Sequence, residues 1–307
     1  MKKTLLIGLL LFVFGTSTTF AATLKLAFVG DILLARHVGK NIVSYGTNYP
    51  FENVAPVLKS ADIAFGNFEC TLYGQKITGT SKNFVFRAPA NFAKAVSAGG
   101  IDIVSLANNH MLDSGRPGVK STLIGLKDAG IATVGAGLNE TEAYACRIIE
   151  IQGVKVGYLA FTDIANSGLL NAAATPSRAG VAVASDLNQL KACIIFSKKQ
   201  CNLLVVSFHF GNEYQTEPSA RQQLLVKLAL DSGADIIIGH HPHVLQKVVQ
   251  VKGKTVAYSL GNFVFDNHKP SRAKTEILIV NYDTVTSLQS IDQIPCYIRN
   301  CQPQLLR

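Results

Sequence analysis

The sequence is poor in charge: Asp, Glu, Lys and Arg make up only 16% of its 307 residues, whereas hydrophobic residues make up 48%. This balance is typical of a chain with a large buried core and excludes a disordered protein. The sequence also lacks internal repeats, low-complexity segments and linkers rich in Pro or Gly. We therefore predict one domain over residues 22–307, with a C-terminal extension from about residue 269.

Long apolar runs are absent except at the N-terminus. Lys2 and Lys3 precede an apolar run over residues 4–14, and small residues stand at the recognition positions of a cleavage site that ends at Ala21. This order predicts a signal peptide over residues 1–21 and a periplasmic or secreted protein. The alternative is an uncleaved anchor facing the outside, although the run is shorter than the ~20 residues of a typical span. No Cys follows the cleavage site, so we do not expect a lipoprotein.

Concentrated charge and CxxC pairs are missing as well. The net charge is +9, or +7 without Lys2 and Lys3, and it is spread along the chain. This spread favours diffuse attraction to an anionic polymer over a nucleic-acid site, and membrane contact is expected only if the N-terminal segment is uncleaved. An even number of Cys in an exported chain permits disulfides. The pairs nearest in sequence, Cys193–Cys201 and Cys296–Cys301, are the ones we expect.

Five apolar segments that resemble buried strands each end in polar residues. The residues at or after these ends are Asp31, Glu69, Asn109, His209 and the string His240-His241-Pro242-His243. Helices predicted over residues 91–98, 117–129, 186–198 and 216–232 separate the strands, and hairpins are predicted near Gly153 and Gly253. This alternation indicates a mixed, layered α/β fold. Because functional groups gather at the carboxyl ends of strands in open α/β sheets, we expect these side chains to converge.

The converging residue types suit a divalent cation. Carboxylates, an amide oxygen and imidazoles bind Zn²⁺, Mn²⁺ or Fe²⁺, and such an ion lowers the pKa of a bound water. Each residue also has an ordinary explanation: Asp31 or Asn109 as a turn residue, Glu69 paired with an Arg, and His209 as a core histidine. Three His among residues 240–243 favour the metal site, because such a cluster is rare elsewhere.

Six strings in this order resemble the bacterial CapA family of capsule-synthesis proteins, which is associated with poly-γ-glutamate. The strings are VGD (29–31), NFECTL (67–72), SLANNH (105–110) with Asp113 and Gly115, HFGNEY (209–214), GAD through GHHPH (233–243) and YSLGNF (258–263). The family in turn resembles the calcineurin-like metallophosphoesterases. These resemblances imply a four-layer α/β/β/α sandwich with one or two divalent ions, Zn²⁺, Mn²⁺ or Fe²⁺, above the strand ends.

The resemblance also implies a role for each site residue. The implied metal ligands are Asp31, Glu69, Asn109, His209, His241 and His243. His110 would be the acid that protonates the leaving group. The implied supporting residues are Asn67, Asp113, Glu213, His240 and Asn262. Two departures favour a single ion over two: Leu33 stands where phosphoesterases carry a His, and Glu69 stands where they carry an Asp.

Three functions are compatible with these features. The first is an exported metal-dependent hydrolase or transferase acting on poly-γ-glutamate or a related γ-glutamyl capsule polymer. For it, we guess that Arg36, Arg87 and Arg116 bind substrate carboxylates because they lie near the motifs. The second is a non-catalytic accessory that binds the polymer, alongside other capsule synthesis proteins, and the third is a periplasmic phosphoesterase, which Leu33 disfavours. A GxxxxGK[ST] loop is absent, so we do not expect the ATP-dependent ligase that builds such a polymer.

Overall fold

Two β-sheets packed face to face form the centre of the computed structural model, which describes residues 23–73, 85–266 and 269–306. The signal peptide predicted for residues 1–21 lies outside the described residues. In chain order the strands are β1 (Thr23–Ile32), β2 (Ile63–Phe68), β3 (Thr71–Tyr73), β4 (Arg87–Pro89), β5 (Ile103–Ser105), β6 (Ala132–Val134), β7 (Ala136–Gly137), β8 (Arg147–Ile151), β9 (Val154–Thr162), β10 (Gly180–Val181), β11 (Leu203–His209), β12 (Ile236–His240), β13 (Val248–Val251), β14 (Lys254–Ala257), β15 (Asn262–Val264), β16 (Lys274–Asp283), β17 (Gln289–Arg299) and β18 (Gln302–Leu305).

Helices cover the outer face of each sheet. They are α1 (Arg36–Tyr45), α2 (Ala55–Leu58), α3 (Ala93–Ala98), α4 (Gly115–Asp128), α5 (Glu140–Ala143), α6 (Leu169–Ala172), α7 (Leu187–Lys198), α8 (Ala220–Asp231) and α9 (Pro270–Ala273), with short 3-10 turns at Tyr49–Phe51 and Ala90–Phe92. Helix α7 begins as predicted, because Asp186 caps it by accepting the backbone N–H groups of Asn188 and Gln189. Helix α8 begins at Ala220, four residues later than predicted, because Ser219 is its N-cap. None of the described helices is long and apolar enough to span a bilayer.

The first sheet runs in the order β18-β17-β16-β1-β2-β5-β6, and β15 also pairs with β1. Its strands β1, β2, β5 and β6 are parallel, whereas β16, β17 and β18 are antiparallel. The second sheet runs in the order β13-β14-β12-β11-β9-β8, with the four inner strands parallel and the two edge strands antiparallel. The parallel strands of both sheets are the ones that reach the candidate site.

Three apolar clusters define four layers. Phe28 and Phe65 of the first sheet meet Tyr158 and Val205 of the second between the sheets. A second cluster lies between the first sheet and helices α1, α3 and α4, and a third lies between the second sheet and helices α7 and α8. The four-layer α/β/β/α sandwich is therefore confirmed. Because both faces of the inner strands are covered, these strands are almost continuously apolar, as the sequence shows.

The segment from residue 269, which we expected to be an extension, completes the first sheet. Strand β16 pairs antiparallel with β1, from Thr23 opposite Asp283 to Phe28 opposite Leu278. Strands β17 and β18 continue the sheet as a hairpin at its edge.

Both expected disulfides are wrong. All six cysteines lie in described residues, and each is a free thiol. The register of β17 and β18 places Cys296 opposite Leu305, whereas Cys301 lies in the turn between the strands. Cys193 lies in α7, about two helical turns before Cys201, and the thiol of Cys201 packs beside Cys146 against Gly157.

A close crossing of backbones places Asp31 at the end of β1. The Asp31 N–H donates to the carbonyl of Gly261 at 2.9 Å, and a Cβ added to Gly30 would lie 1.9 Å from that same oxygen. We expect Gly30→Ala to lower the free energy of unfolding by about 3 kcal/mol, because backbone must move to admit the methyl group.

Urea denaturation measures this effect, and Gly125→Ala in α4 is the matched control. There the added methyl group meets the flexible end of Leu72 at 3.0 Å, and we expect a change of under ~1 kcal/mol. Equal denaturation midpoints for the two variants would contradict the prediction.

Candidate metal centre

The carboxyl ends of parallel strands from both sheets meet at one buried place. Asp31 lies at the end of β1, and Glu69 follows β2. His209 ends β11, and His240 ends β12. The loop after β5 carries Asn109 and His110, and the loop after β12 carries His241 and His243. The side chains of Asp31, Glu69, His209 and His240 are fully buried, and the others are at most 8% exposed.

Three of these residues have the geometry of a shared cation site. One ligand atom each of Asp31, Glu69 and His209 lies within 4.8 Å of the other two. Asp31 Oδ2 and both carboxylate oxygens of Glu69 are buried without a hydrogen-bond partner among the described residues. A buried carboxylate in that state is unfavourable unless a cation compensates it. The oxygen and nitrogen donors at this site therefore fit a divalent ion.

The electrostatics of the two carboxylates differ. Burial raises the pKa of Asp31, but the imidazoles of His240 and His243, 3.4 and 3.5 Å from its carboxylate oxygens, outweigh burial and hold this pKa well below its ordinary value. Burial and the negative charge of Asp31 together hold the pKa of Glu69 well above its ordinary value. The charge of His243 acts to lower the pKa of Glu69, but burial and Asp31 outweigh it.

The pKa values of the histidines near the two carboxylates also differ. Burial lowers the pKa of His209 well below its ordinary value, and burial and the charge of His243 lower the pKa of His241 to about 4. Both rings are therefore neutral at pH 7, which is the state that binds a metal. Burial acts to lower the pKa of His243, but Glu69 and Asp31 raise it to about 9. In the absence of a cation, His243 carries the positive charge that faces the carboxylates.

Asparagine side chains orient several of the ligands. Asn67 Nδ2 donates to Asp31 Oδ1 at 2.8 Å and lies 3.3 Å from His209 Nδ1. Asn109 Oδ1 lies 2.9 Å from His209 Nε2, and Asn109 Nδ2 donates to Asn166 Oδ1 at 3.1 Å. Asn166 thereby turns the amide oxygen of Asn109 towards the centre. Sequence reasoning missed Asn166, which lies outside every motif string.

The histidine loop after β12 has an unusual backbone. His241 and His243 have φ values of 96° and 58°, a region that side-chain-bearing residues seldom adopt and that costs roughly 1–3 kcal/mol each. His241 Nδ1 is buried without a hydrogen-bond partner among the described residues, and its ring lies 4.8 Å from that of His209. His243 Nδ1 donates to Asn262 Oδ1 at 2.8 Å, which leaves His243 Nε2 3.8 Å from Glu69 Oε1.

His110 forms a dyad with Asp113 at the edge of the centre. Its Nδ1–H donates to Asp113 Oδ2 at 2.7 Å, and its Nε2 lies 3.9 Å from Glu69 Oε1. The ring of Phe86 stacks on the imidazole at 3.9 Å between centroids, and the Phe86 N–H also donates to Asp113 Oδ2. These contacts fix the ring with Nε2 towards the carboxylates, where it can exchange a proton with a bound molecule.

A family profile described as "Bacterial capsule synthesis protein PGA_cap" matches residues 25–267, which include every residue of the centre. The chain belongs to this family. It is 36% identical to "Capsule biosynthesis protein CapA" of Bacillus anthracis over 92% of this chain and 69% of that protein. It is 34% identical to "PGA biosynthesis protein CapA" of Bacillus subtilis over 79% of this chain and 63% of that protein, just under two thirds of its length. A probable polyglutamine synthesis accessory protein of Mycobacterium tuberculosis is 25% identical over 90% of this chain and 77% of that protein.

The structure brings together all six ligands implied for this PGA_cap protein, with His110 beside them. The supporting residues Asn67, Asp113, His240 and Asn262 contact them directly; His240 Nδ1 lies 3.4 Å from Asp31 Oδ1. Glu213 is close enough to the histidine loop for the charges of His243 and His241 to lower its pKa. A hydrogen bond with Tyr214 and the charge of Arg272 lower this pKa as well, and together they outweigh burial, which acts to raise it. The roles of these residues stay predictions.

The three arginines that we guessed for substrate binding have different positions in the PGA_cap protein. The Arg87 guanidinium donates to the backbone carbonyl of Asp113, so it supports the loop that carries His110. Arg116 donates to the carbonyls of Ala179 and Asn171 and so holds a neighbouring loop. Arg36 is the one of the three that borders the site, since its guanidinium lies 5.6 Å from the centroid of Phe86. Sequence reasoning missed Arg272. Its guanidinium stacks on Tyr214, and the Tyr214 ring in turn neighbours that of His243.

From the raised pKa of Glu69 we predict that metal binding at this centre depends on pH. The ordinary pKa of Glu69 is 4.5, so above pH 4.5 the folded protein retains a proton that the unfolded chain has released. The stability that this proton contributes is present below pH 4.5 and is lost as pH rises through the folded-state pKa. A cation replaces the proton, so we expect the rise in Tm on adding Zn²⁺ or Mn²⁺ to chelator-treated protein to be larger at pH 7.5 than at pH 5.5.

Thermal unfolding at the two pH values measures this difference, with Glu69→Gln as the control. The variant has no proton to displace, so the metal-free Tm should lose the part of its pH dependence that Glu69 causes. Equal metal-induced shifts in the wild-type protein at pH 5.5 and pH 7.5 would contradict the prediction.

Proposed function

We propose that this protein is an exported, metal-dependent hydrolase or transferase of γ-glutamyl linkages in poly-γ-glutamate or a related capsule polymer. The observation that carries the proposal is the buried pair of Asp31 and Glu69 beside His209, in which Asp31 Oδ2 and both Glu69 carboxylate oxygens have no hydrogen-bond partner among the described residues. His110 Nε2 lies 3.9 Å from Glu69 Oε1. The names of the B. anthracis and B. subtilis relatives support a capsule or PGA polymer as the substrate. The sequence of residues 1–21 supports export.

The proposed chemistry divides between a cation and the His110–Asp113 dyad. A divalent ion held by Asp31, Glu69, Asn109, His209, His241 and His243 would polarise the scissile carbonyl and lower the pKa of water at the site. His110 holds a proton on Nε2 and delivers it to the departing amine, while the Asp113 carboxylate keeps the ring oriented. We propose one tightly held ion, because Leu33 is fully buried and supplies no ligand to the site.

Size-exclusion analysis of γ-glutamyl polymer tests the proposal. The polymer is incubated with chelator-treated protein and then with Zn²⁺, Mn²⁺ or Fe²⁺ added singly. We expect shorter chains with at least one metal and intact polymer with chelator. Polymer that stays intact with every metal would contradict the hydrolase and favour a polymer-binding accessory; the M. tuberculosis relative is named a probable polyglutamine synthesis accessory protein. Turnover of an aryl phosphate with intact polymer would instead indicate a phosphoesterase.

A further inference from the structure

Aromatic rings form a continuous series of contacts along one wall of the candidate metal centre. The guanidinium of Arg36 lies 5.6 Å from the ring centroid of Phe86. Phe86 meets Phe265 edge-on at 6.1 Å, and Phe265 lies 5.3 Å from the ring of His243. Phe86 and Phe265 are buried, so this part of the wall is rigid.

The series continues past His243 to a second guanidinium. The ring of Tyr214 lies 6.2 Å from that of His243, and the guanidinium of Arg272 lies 3.4 Å from the Tyr214 centroid. Each end of the series therefore carries one arginine. Within the series, Phe86 contacts His110, the proposed acid. Phe265 and Tyr214 both contact His243, an implied metal ligand.

Further contacts hold both arginines in place. Arg36 Nε pairs with Asp266 Oδ2 at 3.0 Å; the Asp266 side chain is 1% exposed, whereas that of Arg36 is 40% exposed. The Arg272 carbonyl accepts the Asn262 Nδ2–H at 3.3 Å, and Asn262 Oδ1 accepts from His243. The Arg272 backbone is thus tied through Asn262 to an implied metal ligand, and its guanidinium is held against the Tyr214 ring. Arg36 pairs through Nε with a buried carboxylate. Pre-organised guanidinium groups lose little freedom on binding an anion.

We infer that Arg36 and Arg272 bind two carboxylates of the substrate, one on each side of the bond that reacts at the metal centre. This inference rests on the proposed function and specifies its substrate class: a polyanion with one free carboxylate in every residue. In a γ-linked glutamyl chain, the α-carboxylates flank every amide bond. The planar guanidinium fork pairs with a carboxylate through two parallel hydrogen bonds, which gives the site both affinity and register along the polymer.

Kinetics on the free-acid polymer and on its methyl ester test the inference. We expect Arg272→Gln and Arg36→Gln each to raise KM for the free-acid polymer about tenfold, as for loss of one charge-assisted contact, and to change kcat less than about threefold. The esterified polymer has no carboxylates, so its KM should be unaffected by either substitution. Arg147→Gln removes the same charge from an exposed position in edge strand β8 and is the matched control.

A binding assay separates failure of this inference from failure of the proposed function. Anisotropy of a fluorescent γ-glutamyl oligomer reports affinity without turnover. If the wild-type protein cleaves no polymer but Arg272→Gln still weakens binding of the free acid about tenfold, the hydrolase proposal fails and the inference holds. Affinity equal to that of Arg147→Gln, or an equal loss for the ester, would overturn the inference. Arg272→Lys keeps the positive charge over the Tyr214 ring, so it replaces the Gln variant if that variant does not fold. We expect it to weaken binding of the free acid about threefold and to leave binding of the ester unchanged.

Discussion

His110→Ala is expected to slow cleavage of the γ-glutamyl polymer by about 10²–10⁴-fold while the protein keeps its metal. The substitution removes a proton donor whose Nε2 lies 3.9 Å from Glu69 Oε1 and whose other ring nitrogen, Nδ1, is held by Asp113. Polymer binding should persist, because the arginine-ended wall remains. The measurements are the cleavage rate and the metal content of the purified variant.

Asp113→Asn distinguishes proton transfer from a purely structural role of His110. The amide can still contact His110 Nδ1 but carries no charge to stabilise a protonated ring, so we expect a smaller loss of rate and an alkaline limb of the rate profile that moves to lower pH. A wild-type cleavage rate in His110→Ala would remove this residue from the chemistry. Loss of metal from the same variant would show that it acts as a ligand instead of an acid.

Asp31→Asn is expected to weaken divalent-metal binding at least about 100-fold. Removing even an outer hydrogen-bond partner of a metal ligand weakens metal binding by up to about that factor. The substitution keeps the shape of the side chain but removes the negative charge that His240 and His243 face. Metal titration of the chelator-treated protein measures the affinity. Cleavage should fall with metal occupancy and recover in part at high metal concentration.

Asp102→Asn is the matched control for this prediction. Asp102 is an exposed carboxylate directly before β5 of the first sheet, and it accepts the Ala64 N–H away from the carboxyl ends of the strands. Its substitution should leave metal affinity unchanged. An Asp31→Asn variant that binds metal as tightly as Asp102→Asn would place the cation elsewhere.

The sequence suffices to predict the strand ends of the site. Runs such as residues 203–206 are apolar because both faces of their strands are covered, and His209 stands out three positions after that run. The same reasoning finds Asp31, Glu69 and the histidine loop after β12. These residues are predictable because each of them lies within a few positions of the strand that it ends or follows.

Residues that reach the site through tertiary contacts were not predictable in this way. Asn166 lies in a loop after β9 and meets Asn109 across 57 residues, and Arg272 lies in the short helix before β16. Neither follows an apolar run, so no local pattern marks it. The disulfide prediction failed for a related reason, since nearness in sequence says nothing about the register that places Cys296 opposite Leu305.

Strand β17 was missed because of its place in the sheet. It lies between β16 and the short edge strand β18, and most of its side chains are exposed or half-buried. Such a strand needs no apolar run or strict alternation, so its sequence carries a weak signal.

The most direct test is a crystal structure of residues 22–307 grown with Mn²⁺, with diffraction data collected to locate manganese by anomalous scattering. A strong peak is predicted within about 2.0–2.3 Å of ligand atoms from Asp31, Glu69 and His209, with the His241 or His243 ring beside it. A map without such a peak at full Mn²⁺ saturation, in which neighbouring side chains satisfy the Glu69 carboxylate, would contradict the claim that these strand ends share a cation.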